Sequence, residues 1–160
     1  MGRRNLIAVA VAAAVSAATV AVPAGSAGAA GLHWQLLADG PSAGPSLPST
    51  IGYVALDRAA GRRFTARLPA AATARLARVD FSTRALVAIF GEFGCRDRSI
   101  VVSSIVQRGT KLAVKLVEEP PKAGQIQCLA IFATYRLLLI RKAQLKSPLP
   151  TRAEVTLARA

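Results

Sequence analysis

Histidine, cysteine and aromatic residues are scarce in this 160-residue chain, and each scarcity removes a class of chemistry. The single histidine, His33, leaves a serine or cysteine hydrolase no other imidazole to use as a base. The two cysteines, Cys95 and Cys128, are far apart in sequence and cannot complete a zinc ligand set without a second histidine. Five Phe, two Tyr and one Trp offer few rings for base stacking, and most fall in apolar strand patterns, which argues against nucleic-acid binding. Acids number only eight. Asp80 with Glu92, or Glu118 with Glu119, are pairs on which carboxylate chemistry would have to rest, and adjacent Glu118 and Glu119 point to opposite faces of a strand. No G-x-S-x-G, H-E-x-x-H or phosphate-cradling glycine loop occurs. The expectation is a non-enzymatic protein with no catalytic residues, no metal and no cofactor.

What is present begins with an export signal over residues 1–29. Arg3 and Arg4 form a positive start, and Leu6 to Val22 is an almost unbroken run of small apolar residues. Pro23 then breaks the run, and Ala27-Gly28-Ala29 supplies an A-x-A cleavage pattern, with cleavage expected after Ala27 or Ala29. The rival reading is an uncleaved anchor, since the run approaches the roughly 20 residues that cross a bilayer. Its alanine and valine content, with Ser16 and Thr19 inside it, lacks the Leu, Ile and Phe that drive stable insertion. No cysteine precedes Cys95, which excludes lipid attachment at a leader cysteine. Arg3-Arg4 also loosely matches a twin-arginine signal, but the very short positive region favours the general secretory route.

The remainder, residues 30–160, is the right size for one soluble domain with one core. Both cysteines lie in it, and an even count in an oxidising compartment reads first as a disulfide, Cys95 to Cys128, with free thiols or a redox or metal role as the alternatives. Closing that loop would restrict the unfolded chain by about 3–4 kcal/mol through chain entropy.

Strand patterns dominate this remainder. Leu32 to Leu37 and Ile51 to Leu56 read as strands separated by a Pro/Gly/Ser loop, Gly40 to Ser49. Asp57 is placed to cap a helix from Arg58 to Leu68, in which Ala60, Phe64 and Leu68 recur every four residues; Gly61 weakens it and Pro69 ends it. Ala70 to Ala77 can form a further helical turn. Ala85 to Phe90 is apolar on both faces and reads as a central strand. Ile100 to Val106 and Leu112 to Val117 form a hairpin through Gln107-Arg108-Gly109-Thr110, with Leu112, Val114 and Leu116 inward and Ala113 and Lys115 outward. Cys128 to Ile140 is a long β-rich run, and Ala153 to Leu157 is a last strand. The expected fold is mainly β (α+β): a single small antiparallel β-sheet sandwich or partly open barrel with one short helix and one disulfide.

Charge is strongly one-sided. With Arg3 and Arg4 removed, the formal charge falls from +13 to +11. Much of the excess lies in seven arginines, Arg58, Arg62, Arg63, Arg67, Arg75, Arg78 and Arg84, against the single acid Asp80 within that span. A basic face of this kind is attracted to anionic wall polymers, lipid headgroups and other polyanions in a salt-sensitive way, although a solvated arginine-rich surface has the same composition.

Val79-Asp80-Phe81-Ser82 followed by Ala85-Leu86-Val87-Ala88-Ile89-Phe90-Gly91 resembles the opening of the C-terminal domain of PrcB-type protease-complex subunits. The likeness continues through the hairpin, the P-P-x-x-G loop Pro120 to Gly124 and the strand containing Tyr135, covering residues 79–141. It implies an exported, non-enzymatic accessory or modulator of a secreted protease. The family's Thr-Gly-Gly-Tyr turn is missing; the chain has Phe93-Gly94-Cys95-Arg96-Asp97-Arg98-Ser99-Ile100 there.

The leading expectation is therefore a secreted protein-interaction module. Its partner is another secreted or envelope protein, bound through edge strands or through the loops that carry Phe93, Arg96 and Arg98 and Glu118, Glu119, Pro120, Pro121 and Lys122. The alternative is a basic envelope or polyanion binder using the seven arginines. A third reading is a hydrolase. No specific nucleic acid and no stable membrane insertion after leader cleavage are expected.

Overall fold

The computed structural model describes residues 31–43, 49–93, 100–119 and 132–159. The leader, Cys95, Cys128, Arg96, Arg98, Pro120, Pro121 and Lys122 lie outside the described residues. Strands β1 (Trp34–Pro41), β2 (Ile51–Ala55), β3 (Arg84–Phe93), β4 (Ile100–Arg108), β5 (Lys111–Glu118), β6 (Phe132–Arg141) and β7 (Arg152–Arg159) form one sheet in the order β1-β6-β3-β2-β7-β5-β4. The sheet curls into a half-barrel, and two short helices, α1 (Arg58–Arg62) and α2 (Ala70–Ala77), accompany it. Of the two architectures expected, the partly open barrel is the one adopted.

β3 forms the spine because every residue from Ala85 to Phe90 is buried, as its two-sided apolar pattern requires. Leu86, Ala88 and Phe90 face one core with Tyr135 and Leu137 of β6 and with Phe64, Leu68, Ala72 and Leu76 of the helical segment. Val87 and Ile89 face a second core with Leu138 and Ile140 of β6 and with Ile105, Leu112, Val114 and Leu116 of the hairpin β4–β5. Packing β3 against strands three and four places away in the sheet is possible only because the sheet curls. The β4–β5 turn is short, and Gly109 supplies its left-handed residue at φ 58°. In β5 the alternation holds as expected, with Leu112, Val114 and Leu116 buried and Lys115 exposed.

Four features differ from the sequence expectations. The sheet is mixed, since β7 runs parallel to β5 from Lys111↔Arg152 to Glu118↔Arg159. Gln107 prepares that crossover: its amide nitrogen donates to the carbonyls of Lys146 and Pro148 (2.8 and 3.0 Å), and its oxygen accepts from the Lys146 amide (2.8 Å). Gly40 and Pro41 belong to β1 and pair with Tyr135 and Thr134; proline is tolerated there because β1 is an edge strand.

The single helix expected over Arg58 to Leu68 is broken, and the second helix α2 follows it. Asp57 does cap α1, accepting from the Ala60 amide at 2.7 Å. α1 stops at Arg62, where the Thr65 hydroxyl takes the Arg62 carbonyl at 2.8 Å and a 3-10 turn, Thr65–Arg67, begins. Gly61 lowers helix propensity at the break and lets Phe81 pack close; a Cβ there would lie 2.9 Å from Phe81 Cζ. Phe64 and Leu68 nonetheless remain on the buried side, as their spacing anticipated.

Two bulges adjust the edges. In β1 the register shifts between Leu36 and Ala38, so Leu37 and Ala38 both turn toward the helices. The Leu37 carbonyl, outside the β1–β6 pairing register, accepts from Arg75 of α2 at 3.3 Å. In β4 the shift falls at Ser103, whose hydroxyl donates to the Lys115 carbonyl at 3.2 Å. Between the two edge strands, the Leu32 amide donates to the Ile105 carbonyl at 2.8 Å, drawing the chain ahead of β1 onto β4.

Candidate binding surfaces

The strand directions bring the ends of β1, β3, β5 and β7 and the starts of β2, β4 and β6 to one rim of the half-barrel. Phe93 is paired with Phe132, and Ile100 with Glu118. The connections 94–99 and 119–131 therefore leave from neighbouring positions on that rim. Just inside it, the β6 residue Arg136 reaches across to donate to the Ile100 carbonyl of β4. Asp39 of β1, its register partner, lies 3.8 Å from the guanidinium. The Arg136 side chain is only 21% exposed, and burial lowers its pKa while Asp39 raises it in part. Glu118 is half-buried and Glu119 exposed at the same rim.

The seven sequence-predicted arginines are distributed over several places. Arg63 and Arg67 line a cleft of about 290 Å³ with Tyr53, Phe64, Thr151 and Arg152. Arg58 and Arg62 flank a smaller, more apolar hollow of about 220 Å³ beside Phe81 and Leu76. Arg84 sits opposite Arg141 in the β3–β6 ladder, and the two like charges border a third, shallow cleft of about 600 Å³ with His33, Gln35 and Gln144. Arg75 serves the β1 bulge, and Arg78 is an exposed residue at the end of α2. None of the seven forms an ion pair with a carboxylate among the described residues. Tyr53 and Arg152 were not singled out by charge density, because Arg152 is far along the chain. The signal that marks their neighbourhood is Gly52, a glycine inside a strand, where another backbone approaches closely.

Asp80, one of the acids considered for catalysis, has local work. Its carboxylate accepts from the Ser82 amide (2.9 Å), the Ser82 hydroxyl (2.6 Å) and the Thr83 hydroxyl (2.9 Å), forming the turn that launches β3. The Ser82 hydroxyl first, then its amide and Thr83, hold the carboxyl below its ordinary pKa. The D-F-S stretch thus reads as a turn with Phe81 packed against α1. His33 is exposed, and its amide donates to the Gln144 side chain at 2.8 Å. Among the described residues there is no group of three or more His, Cys, Asp or Glu placed to hold a metal ion, and no helix is long and apolar enough to cross a membrane.

No protein-family model matches this chain, and no curated protein or solved structure is found similar to it.

Proposed function

We propose that the chain is an exported, non-enzymatic interaction module that binds another secreted or envelope protein at the rim of its half-barrel. The observation that carries this reading is the pairing of strand ends, Phe93 with Phe132 and Ile100 with Glu118. It roots both sequence-predicted loops at adjacent points, so a partner contacting one meets the other. Cys95 follows Phe93 by two residues and Cys128 precedes Phe132 by four. From strands about 4.8 Å apart, such short tethers let the two sulfurs meet, and the Cys95–Cys128 disulfide then staples the loops into one surface. The leader, cleaved after Ala27 or Ala29, delivers the domain to a compartment where that bond persists. The resemblance to PrcB-type subunits makes a secreted protease the first partner to test.

The test is cross-linking in culture supernatant at low salt, with the disulfide intact and after reduction. A defined protein partner captured by the oxidised form, and lost when Arg96, Arg98, Glu118 and Glu119 are replaced together by alanine, is the expected result. Equal capture by the substituted protein sinks the rim assignment. Intact mass of the secreted protein checks the leader and the disulfide at once, since cleavage after Ala27 or Ala29 and the loss of two hydrogens each give a defined mass.

A further inference from the structure

We infer that the cleft between the 3-10 turn and the β2–β7 seam is a binding site for an anionic sugar unit, a ring bearing phosphate, sulfate or carboxylate. Three arginines from separate elements line it: Arg63 at the end of α1, Arg67 in the 3-10 turn and Arg152 at the start of β7. Arginine's planar fork suits oxyanions, and a cleft bordered by several arginines favours an anionic ligand. Glu154 neutralises Arg152 in part, lying 3.6 Å from its guanidinium and 2.7 Å from Lys111 Nζ, whereas Arg63 and Arg67 form no ion pair with a carboxylate among the described residues.

The cleft is also built rather than incidental. Arg67 is anchored through its carbonyl, which accepts from the Ser42 hydroxyl at 3.0 Å and the Ala43 amide at 3.1 Å. Tyr53 pairs with Arg152 across the seam, and its ring packs 5.3 Å from Phe64 and 6.2 Å from Phe90 while remaining 37% exposed. A ring held from behind and open in front offers an apolar surface with a polar tip. Thr151 adds a hydroxyl-bearing side chain. At about 290 Å³ the cleft is at the small end for ligand sites, fitting one ring with its charged group rather than a larger molecule. A polymer of such units is a second source of the same chemistry, beside a free sugar phosphate. This site is separate from the rim and does not depend on the reading given above.

The experiment titrates purified protein with glucose 6-phosphate, inorganic phosphate and a heparin tetrasaccharide at low salt, followed by amide chemical shifts and calorimetry. Saturable shifts are expected at Gly52, Tyr53, Arg63 and Thr151 with both sugar probes, and weaker binding is expected with inorganic phosphate. The pair Arg63→Gln with Arg67→Gln should weaken sugar binding about tenfold or more. The pair Arg58→Gln with Arg62→Gln removes equal charge outside the cleft and should change it no more than about twofold. Tyr53→Ala should reduce binding of the sugar probes and leave inorganic phosphate unchanged. A greater affinity for the tetrasaccharide than for glucose 6-phosphate would assign the polymer as the source; the reverse would assign the free ligand. Equal losses in the two arginine pairs would mean diffuse attraction and overturn the site, as would equal affinity for phosphate and glucose 6-phosphate or shifts confined to residues away from the seam.

Discussion

Gly52→Ala tests the joint on which the half-barrel depends. Among the described residues, Gly52 and Tyr53, opposite Ala153 and Arg152, are the only register pairs joining β2 to β7, so the strand pairing between the antiparallel leaf β1-β6-β3-β2 and the leaf β7-β5-β4 runs through them. A Cβ at Gly52 would lie 2.6 Å from Val155 Cγ2, 2.8 Å from Ala153 Cβ and 2.9 Å from the Ala153 carbonyl oxygen. The last is backbone, and the valine is β-branched and stiff, so neither moves aside easily. Overpacking of this kind costs about 1–3 kcal/mol. Alanine also restricts the unfolded chain, returning about 0.4–1 kcal/mol. The net expectation is a loss of about 1–2 kcal/mol, which at an m-value of about 1–3 kcal/mol/M lowers the urea midpoint by roughly 0.3–2 M. Trp34, packed against the inner core, supplies the fluorescence signal and far-UV circular dichroism the second probe. Adding Val155→Ala should recover part of the loss by removing the closest contact, giving a favourable coupling in the double-mutant cycle of about 0.5 kcal/mol or more. A Gly52→Ala protein as stable as the wild type, with no coupling to Val155, would refute the close approach of β2 to β7.

Other outcomes follow from the same geometry. Because Asp80 is held below its ordinary pKa, its contribution is complete above the ordinary carboxylate range and is lost as pH falls through the lower folded-state value. Melting temperatures of wild type and Asp80→Asn should therefore differ at neutral pH, with the wild type higher, and converge in acid; a constant gap from pH 7 to pH 2 would dismiss the ionised turn. Leu112→Ala, at a fully buried position in the core under the curl, should cost about 2–5 kcal/mol in urea unfolding, and a change under 1 kcal/mol would place Leu112 outside that core. Arg136→Met removes the donor to Ile100 and the partner of Asp39, with an expected loss of about 1.5–3 kcal/mol and faster amide exchange in the first residues of β4; unchanged exchange there would deny the tether.

The parts of the fold that were legible are those where local pattern and tertiary demand agree. Ala85 to Phe90 carries no polar residue, and a strand without a polar face has to be covered on both sides, as β3 is. Gly109 and the alternation around Lys115 defined the hairpin with its correct faces. The parallel pairing of β7 with β5 had no such trace, because residue alternation is the same for either direction. The segment leading into it is tied by Gln107, whose side chain holds residues 146 and 148 some forty positions away. The broken helix is a contest between an i, i+4 apolar pattern, which continues through Phe64 and Leu68, and local chemistry at Gly61 and Thr65, which stops α1 early. Both sides of that contest were visible, but the tertiary neighbour was not: Phe81 lies so close that a Cβ at Gly61 would meet its Cζ at 2.9 Å.

Charge was the least transferable signal, because proximity along a helix-rich segment is not proximity on a surface. Arg62 and Arg63 are neighbours in sequence, yet one borders the hollow beside Phe81 and the other the cleft beside Tyr53. Arg75, equally prominent in the sequence, serves the carbonyl at a β-bulge. Conversely, Arg152 joins Arg63 and Arg67 only because β2 can approach β7 at a residue with no side chain. The seam glycine thus has two consequences: it lets the two leaves meet, and by doing so it carries Arg152 to the position opposite Tyr53. Gly52→Ala should for that reason weaken anion binding as well as folding. That double effect separates a cleft made by the seam from one made by the helical segment alone, in which only stability would change.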